Sequence, residues 1–153
     1  MIPRFEERQV SLIEMAQVSM LEVNLYALCI SGVMAFDSSV KRNGPKHKRL
    51  LHLQSDTVVE IYAAEAGNWG LILALRTGPA EFNHLLVTNV AHGGAMPLTM
   101  RMQDGWLWRR GERVETRTED EFFGALGLPT WYPEVRSEHV LQSFLLLRAS
   151  RRD

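Results

Sequence analysis

A single cysteine, Cys29, stands among 153 residues, so no disulfide can form within the chain. That usage suits a reducing cytoplasm, and Cys29, set in an apolar run, reads as a core residue. No apolar run is long enough to span a membrane: the apolar stretch Val23 to Phe36 has 14 residues, against about 18 or more for a span. Glu6 and Glu7 beside Arg4 and Arg8 do not resemble the start of a secretory signal. The expected location is cytoplasmic, with no membrane contact. Charge of neither sign dominates, since 17 basic residues meet 18 acidic ones for a net charge of −1. No whole-molecule field therefore draws the chain to nucleic acid, and any such contact must be local. The five histidines and one cysteine lack zinc-ligand spacing. Nor is there a Gly-x-Gly-x-x-Gly, a P-loop or an internal repeat. His92-Gly93-Gly94 looks like a hydrolase oxyanion loop, but no Gly-x-Ser-x-Gly nucleophile exists for it to serve.

What is present fits a folded globular chain, 46% apolar and 23% charged, able to build one sizeable core or two small subdomains. Residues 8–29 read as helix, against a competing strand-like alternation from Leu21 to Ala27, and Gly32 to Phe36 as a short strand. Residues 37–48 are polar and turn-rich around Asn43-Gly44-Pro45. Residues 49–54 and 57–64 read as a strand pair, with Glu60 in the middle of the second. An apolar helix at about 66–76 meets a Thr77-Gly78 break, and a second helix at about 79–88 opens on Pro79. Gly78 is expected to take the positive φ that ends a helix, and Pro79 to sit in the next first turn. That corner, beside Arg76, offers a helix N-terminus suited to a phosphate. Residues 90–97 read as a flexible loop. Strands at 99–103, 106–109 and 113–116 form a small antiparallel meander, with Asp104-Gly105 a two-residue hairpin. Thr118 to Glu121 is a capping box opening a helix that Gly127 and Pro129 stop. The tail after Ser137 carries an apolar run and a basic end. The order of elements predicts an α+β fold.

Several pieces together carry a resemblance: Asn-Gly-Pro-Lys-His-Lys-Arg at 43–49, Val-Val-Glu-Ile-Tyr at 58–62 and Asn-Trp-Gly at 68–70. Arg-Thr-Gly-Pro-Ala-Glu-Phe-Asn at 76–83, Asp-Gly-Trp-Leu-Trp at 104–108, Thr-Glu-Asp-Glu-Phe-Phe-Gly-Ala-Leu-Gly-Leu-Pro at 118–129 and Pro-Glu-Val-Arg at 133–136 follow. In order and spacing they resemble the C-terminal part of family X (beta-type) DNA polymerases of the nucleotidyltransferase superfamily, the short phage and bacterial type in particular. The resemblance covers roughly residues 40–136. It implies a partial palm sheet at 37–97, with its helix pair, and a thumb-like subdomain at 98–136. These lie between an N-terminal helical segment, 1–36, and a tail, 137–153. It also implies that Glu60 stands where the family has the third carboxylate of a Mg²⁺ site. Arg76, Thr77 and Gly78 would cradle a nucleotide, and Asn83 would face its minor-groove edge.

One element of that family is missing. Its catalysis uses two divalent ions held by an Asp-x-Asp pair together with the third carboxylate, and no Asp-x-Asp occurs here. Asp37 reads instead as the start of a turn. The expectation is a truncated or degenerate relative that binds nucleotide or DNA and has weak or no catalysis alone. Lys46, Lys48 and Arg49, with Lys41, Arg42 and His47, form a basic patch suited to phosphates. Two other readings stand beside this one. The first is an active nucleotidyltransferase whose carboxylates come from a partner chain. The second is a non-catalytic interaction scaffold that docks or self-associates through residues 8–36.

Overall fold

Residues 20–38 and 43–150 are described in the computed structural model, and the chain divides into two units between Ala63 and Ala64. In the first unit, helix α1 (Met20–Ile30) precedes strands β1 (Met34–Phe36), β2 (His47–His52) and β3 (Thr57–Tyr62). Helix prevails over the strand-like alternation of Leu21–Ala27; the earlier part of the expected helix, 8–19, lies outside the described residues. Gly32, at φ 73°, ends α1: its N–H donates to Cys29 and that of Val33 to Leu28, the left-handed glycine stop of a helix. The strands form one antiparallel sheet in the order β1-β2-β3, with Leu50 opposite Val59 and Arg49 opposite Glu60. Leu25, Met34 and Leu50 make its core, joined by Cys29, Phe36, Val59 and Ile61. Strand alternation puts Leu50, Val59 and Ile61 on the face that meets α1, and Arg49 and Glu60 on the other.

The second unit runs through α2 (Trp69–Thr77), α3 (Ala80–Val87), β4 (Met100–Gln103), β5 (Trp106–Arg109), β6 (Glu112–Val114), α4 (Glu119–Ala125) and α5 (Glu138–Ser150). The three strands form the expected meander. Both of its turns are two-residue hairpins with positive φ throughout, at Asp104 (54°) and Gly105 (78°), then Arg110 (51°) and Gly111 (91°). That geometry matches the twist of the flanking strands. Leu71, Ala74, Phe82, Leu107, Phe123 and Leu141 share one core. Trp131 meets Phe82, Phe123 and Phe144 edge-on, at 5.9, 5.9 and 5.6 Å between ring centres. The boundaries expected at 97/98 and 136/137 therefore run through a single core, and the one at 36/37 separates β1 from its partner β2. The tail after Ser137 is helix α5, whose buried Leu141 joins that core.

Asn68-Trp69-Gly70 has a packing reason. Asn68, 5% exposed, donates to the Gly105 carbonyl at 2.9 Å and accepts from the Glu65 N–H at 2.7 Å, so it ties the first hairpin to the start of α2. The Gly70 N–H donates to Thr116 at 2.8 Å. The capping box forms at α4, with Thr118 Oγ1 accepting from the Glu121 N–H. Glu121 reaches back one residue further than expected, to the Arg117 N–H. The fold is α+β, and no helix among the described residues is long and apolar enough to cross a membrane.

Candidate functional site

The α2–α3 corner is built differently from the sequence expectation. Gly78 has φ −97° and ψ 157°, an extended conformation open to any residue, so no left-handed glycine ends α2. The cap comes from Asn83 instead. Its amide donates to the Leu75 carbonyl at 3.0 Å and to the Gly78 carbonyl at 2.8 Å, satisfying acceptors that a helix end leaves open. The need for glycine at 78 is one of space, since a Cβ there would lie 2.6 Å from Asn83 Oδ1. Pro79, φ −59°, sits at the N-cap of α3 rather than inside its first turn. We expect Asn83→Asp, which removes both donors, to destabilise the second unit by about 1–3 kcal/mol. Thermal denaturation checks this, and an unchanged midpoint would mean that the corner does not depend on its cap.

Thr77 leads to a residue to which sequence reasoning gave no role. Its hydroxyl donates to the Leu73 carbonyl at 2.8 Å and accepts from Arg136 Nη1 at 2.6 Å. Arg136 is 3% exposed. It also donates from Nε to the Trp131 carbonyl at 2.9 Å and from Nη2 to Glu119 at 2.7 Å, and lies 5.2 Å from the Phe123 ring centre. A buried guanidinium needs such a set of acceptors to offset the cost of taking its charge and N–H donors out of water. Three motif pieces, at 76–83, 118–129 and 133–136, thus meet in one knot. A cleft of about 550 Å³ shares Leu73 and Glu119 with it and is walled by Trp69, Thr118, Trp131 and Tyr132. That volume lies within the usual range for small-molecule sites. Trp69 and Tyr132 are 50% and 81% exposed, so both offer ring surface to a ligand. Arg76 is exposed in the last turn of α2.

Glu60, Lys46, Lys48 and Arg49 belong to the first unit. Because β2 starts at His47, the basic run enters the sheet rather than staying in a loop. Lys48 pairs with Glu22 at 3.0 Å, and Arg49 bridges Asp37 at 2.9 Å and Glu60 at 3.2 Å. Lys46 is exposed, while Lys41 and Arg42 lie outside the described residues. Asp37 is thus an ion-pair partner rather than only a turn residue. Glu60 Oε2 also accepts from the Tyr62 hydroxyl at 2.8 Å, and His47 Nε2 lies 3.7 Å from Oε1. The Tyr62 hydrogen bond first, then the charges of Arg49 and His47, holds the Glu60 carboxyl below its usual pKa. A depressed carboxylate stabilises the fold above its unfolded pKa, and that contribution is lost as pH falls through the lowered value. Tyr62→Phe should move the Glu60 titration back up, as followed by carboxyl NMR; an unmoved titration would assign the depression to Arg49 and His47 alone.

Glu60 is a single carboxylate set among cations, with one oxygen on Arg49 and the other on Tyr62. It does not by itself fit a two-ion centre, which needs several oxygen ligands. Among the described residues, no group of three or more His, Cys, Asp and Glu side chains is placed to hold a metal. No protein-family model matches the chain, and no curated protein matches it at a significant level.

Proposed function

We propose that this is a nucleotidyltransferase-like protein related to beta-type DNA polymerases, which binds nucleotide or nucleic acid and has weak or no catalysis by itself. In this reading the β1–β3 sheet is a partial palm and residues 98–136 a thumb-like region. The observation that carries it is the convergence of Thr77, Glu119 and Arg136 beside a cleft of nucleotide size. Those residues come from three separated pieces of the resemblance. Arg76 and the Thr77-Gly78 corner take the phosphates. Asn83 has its amide protons committed to Leu75 and Gly78 and its Oδ1 buried, so it shapes the corner and would meet a nucleotide only if the corner opened. Of the basic run, Lys46, exposed ahead of β2, would meet a phosphate, whereas Lys48 and Arg49 sit on opposite faces of the strand and would have to exchange Glu22, Asp37 and Glu60 for it; Mg²⁺ arrives with the nucleotide's phosphates. The weak catalysis follows from the missing Asp-x-Asp and from the engagement of Glu60 by Arg49 and Tyr62.

Titration of the full chain with a gapped DNA and each dNTP in Mg²⁺, scoring binding and extension together, tests this. Binding without extension is the expected result, with Arg76→Ala weakening nucleotide affinity about tenfold, as loss of one charge-assisted contact does. Extension that disappears in Glu60→Ala would show a complete metal site, with the missing carboxylates supplied from elsewhere. No binding, with a mass that rises with concentration, would favour the scaffold reading. That reading draws support from the exposed Val23, Tyr26 and Ile30 of α1.

A further inference from the structure

The outward face of the β4–β6 meander carries an arrangement that the nucleotide reading does not use. Strand alternation sends Met100 and Leu107 inward and Arg101, Trp106, Trp108 and Arg113 to the opposite face. Arg101 faces Trp108 across one strand pair, and Trp108 faces Arg113 across the next. Their guanidinium carbons lie 5.9 and 5.4 Å from the Trp108 ring centre, and that of Arg113 lies 4.9 Å from Trp106. The result is a cross-strand ladder of two cations on two indoles. Trp108 is held by a hydrogen bond from Nε1 to the Gln103 carbonyl at 3.2 Å.

Three features point this face at a ligand. First, Arg101, Arg110 and Arg113 make no ion pair or side-chain hydrogen bond among the described residues, whereas Arg109, on the inner face, donates to Ala125 and Arg117 pairs with Glu115. Stacking on an indole orders a guanidinium while leaving its N–H donors free. Second, a cleft of about 350 Å³ opens beside the ladder, lined by Leu98, Thr99, Arg101, Trp108, Arg110 and Gly111. Third, Arg110 occupies a hairpin position at φ 51° where asparagine, aspartate or glycine is favoured. An arginine there gives up turn preference and adds a cation at the mouth of the cleft.

We infer that this face binds single-stranded nucleic acid, with phosphates on Arg101, Arg110 and Arg113 and a base against Trp108 in the cleft. Ordered arginines grip phosphate oxygens in pairs of hydrogen bonds, and the exposed Leu98 beside the half-buried Trp108 ring suits an unstacked base. A duplex keeps its bases stacked and would leave the cleft empty; an acidic peptide would use the cations and leave the aromatic surface idle. The site lies apart from the α2–α3 corner, so it extends the proposed function without depending on it.

The test is fluorescence anisotropy of the full chain with labelled oligo(dT), across a salt series. Arg101→Gln with Arg113→Gln should weaken binding about tenfold and flatten the log Kd against log salt slope by about 1.4, two single-strand contacts' worth. Arg110→Gly keeps the turn, because glycine suits φ 51°, and should weaken binding several-fold with no loss of thermal stability. Parent-like affinity and slope in the ladder variants would overturn the inference, as would no binding by the parent. Equal competition by poly-glutamate would also overturn it, since that would mark the face as a general polyanion or acidic-peptide surface.

Discussion

Gly70→Ala is expected to lower the melting temperature of the second unit by roughly 12–24 °C, a loss of about 3 kcal/mol. Helix propensity alone argues the reverse, because alanine gains about 1 kcal/mol over glycine in a helix interior. Space decides the sign. A Cβ at Gly70 would overlap the carbonyl group of Thr118 and press on the Glu119 N–H. Neither neighbour can yield. Thr118 caps α4, and the Gly70 N–H is itself bonded to Thr116. Only a backbone shift relieves the contact, and such a shift breaks the cap or the bond. Gly124→Ala, inside α4, is the matched control: no atom lies within 4 Å of its added Cβ, so propensity acts unopposed and should stabilise by about 1 kcal/mol. If both variants melt alike, the close approach of α2 to Thr118 is not a constraint on the fold.

The same contrast between local and distant causes separates what the sequence revealed from what it concealed. Asp104-Gly105 and the Thr118 cap were legible because their chemistry closes within a few residues. The two strands around Ser55-Asp56 were legible too, from β-branched residues on either side of a turn. Gly78 was misread because Gly-Pro punctuation is local evidence, while the actual cap is a side chain five residues on whose placement depends on how α3 packs. The ion pairs of the basic run 46–49 were hidden because Glu22 and Asp37, which pair with Lys48 and Arg49, become neighbours only in the folded sheet. Helix α5 is hard to read in the sequence as more than an apolar run with a basic end, because its apolar residues follow no clear helical stripe and Leu141 is its only fully buried one. Arg136 stood in a recognised motif, yet its partner Thr77 lies 59 positions away, beyond any spacing rule.

Arg136→Met should cost the second unit about 3–5 kcal/mol, the usual penalty for breaking a buried ion pair from one side. Four acceptors lose their donor together: Thr77, Glu119 and the Trp131 and Ala74 carbonyls. The Glu119 side chain is 20% exposed, so water recovers part of its loss; the buried Ala74 carbonyl recovers less. Arg136→Lys separates charge from shape. It keeps the cation but has one nitrogen where the fork had three, so it should recover less than half of the stability. A double-mutant cycle with Glu119→Gln should return a coupling of about 1–3 kcal/mol, as for residues in one network. The functional consequence follows from where the knot sits. Arg136 braces the hydroxyl of Thr77 and the wall of the cleft at Glu119. Measured well below its melting point, Arg136→Met should therefore also lose nucleotide affinity, although Arg136 is buried and touches no ligand. A variant that melts early but binds normally would confine Arg136 to packing, and the convergence of the three motif pieces would then no longer support a nucleotide site.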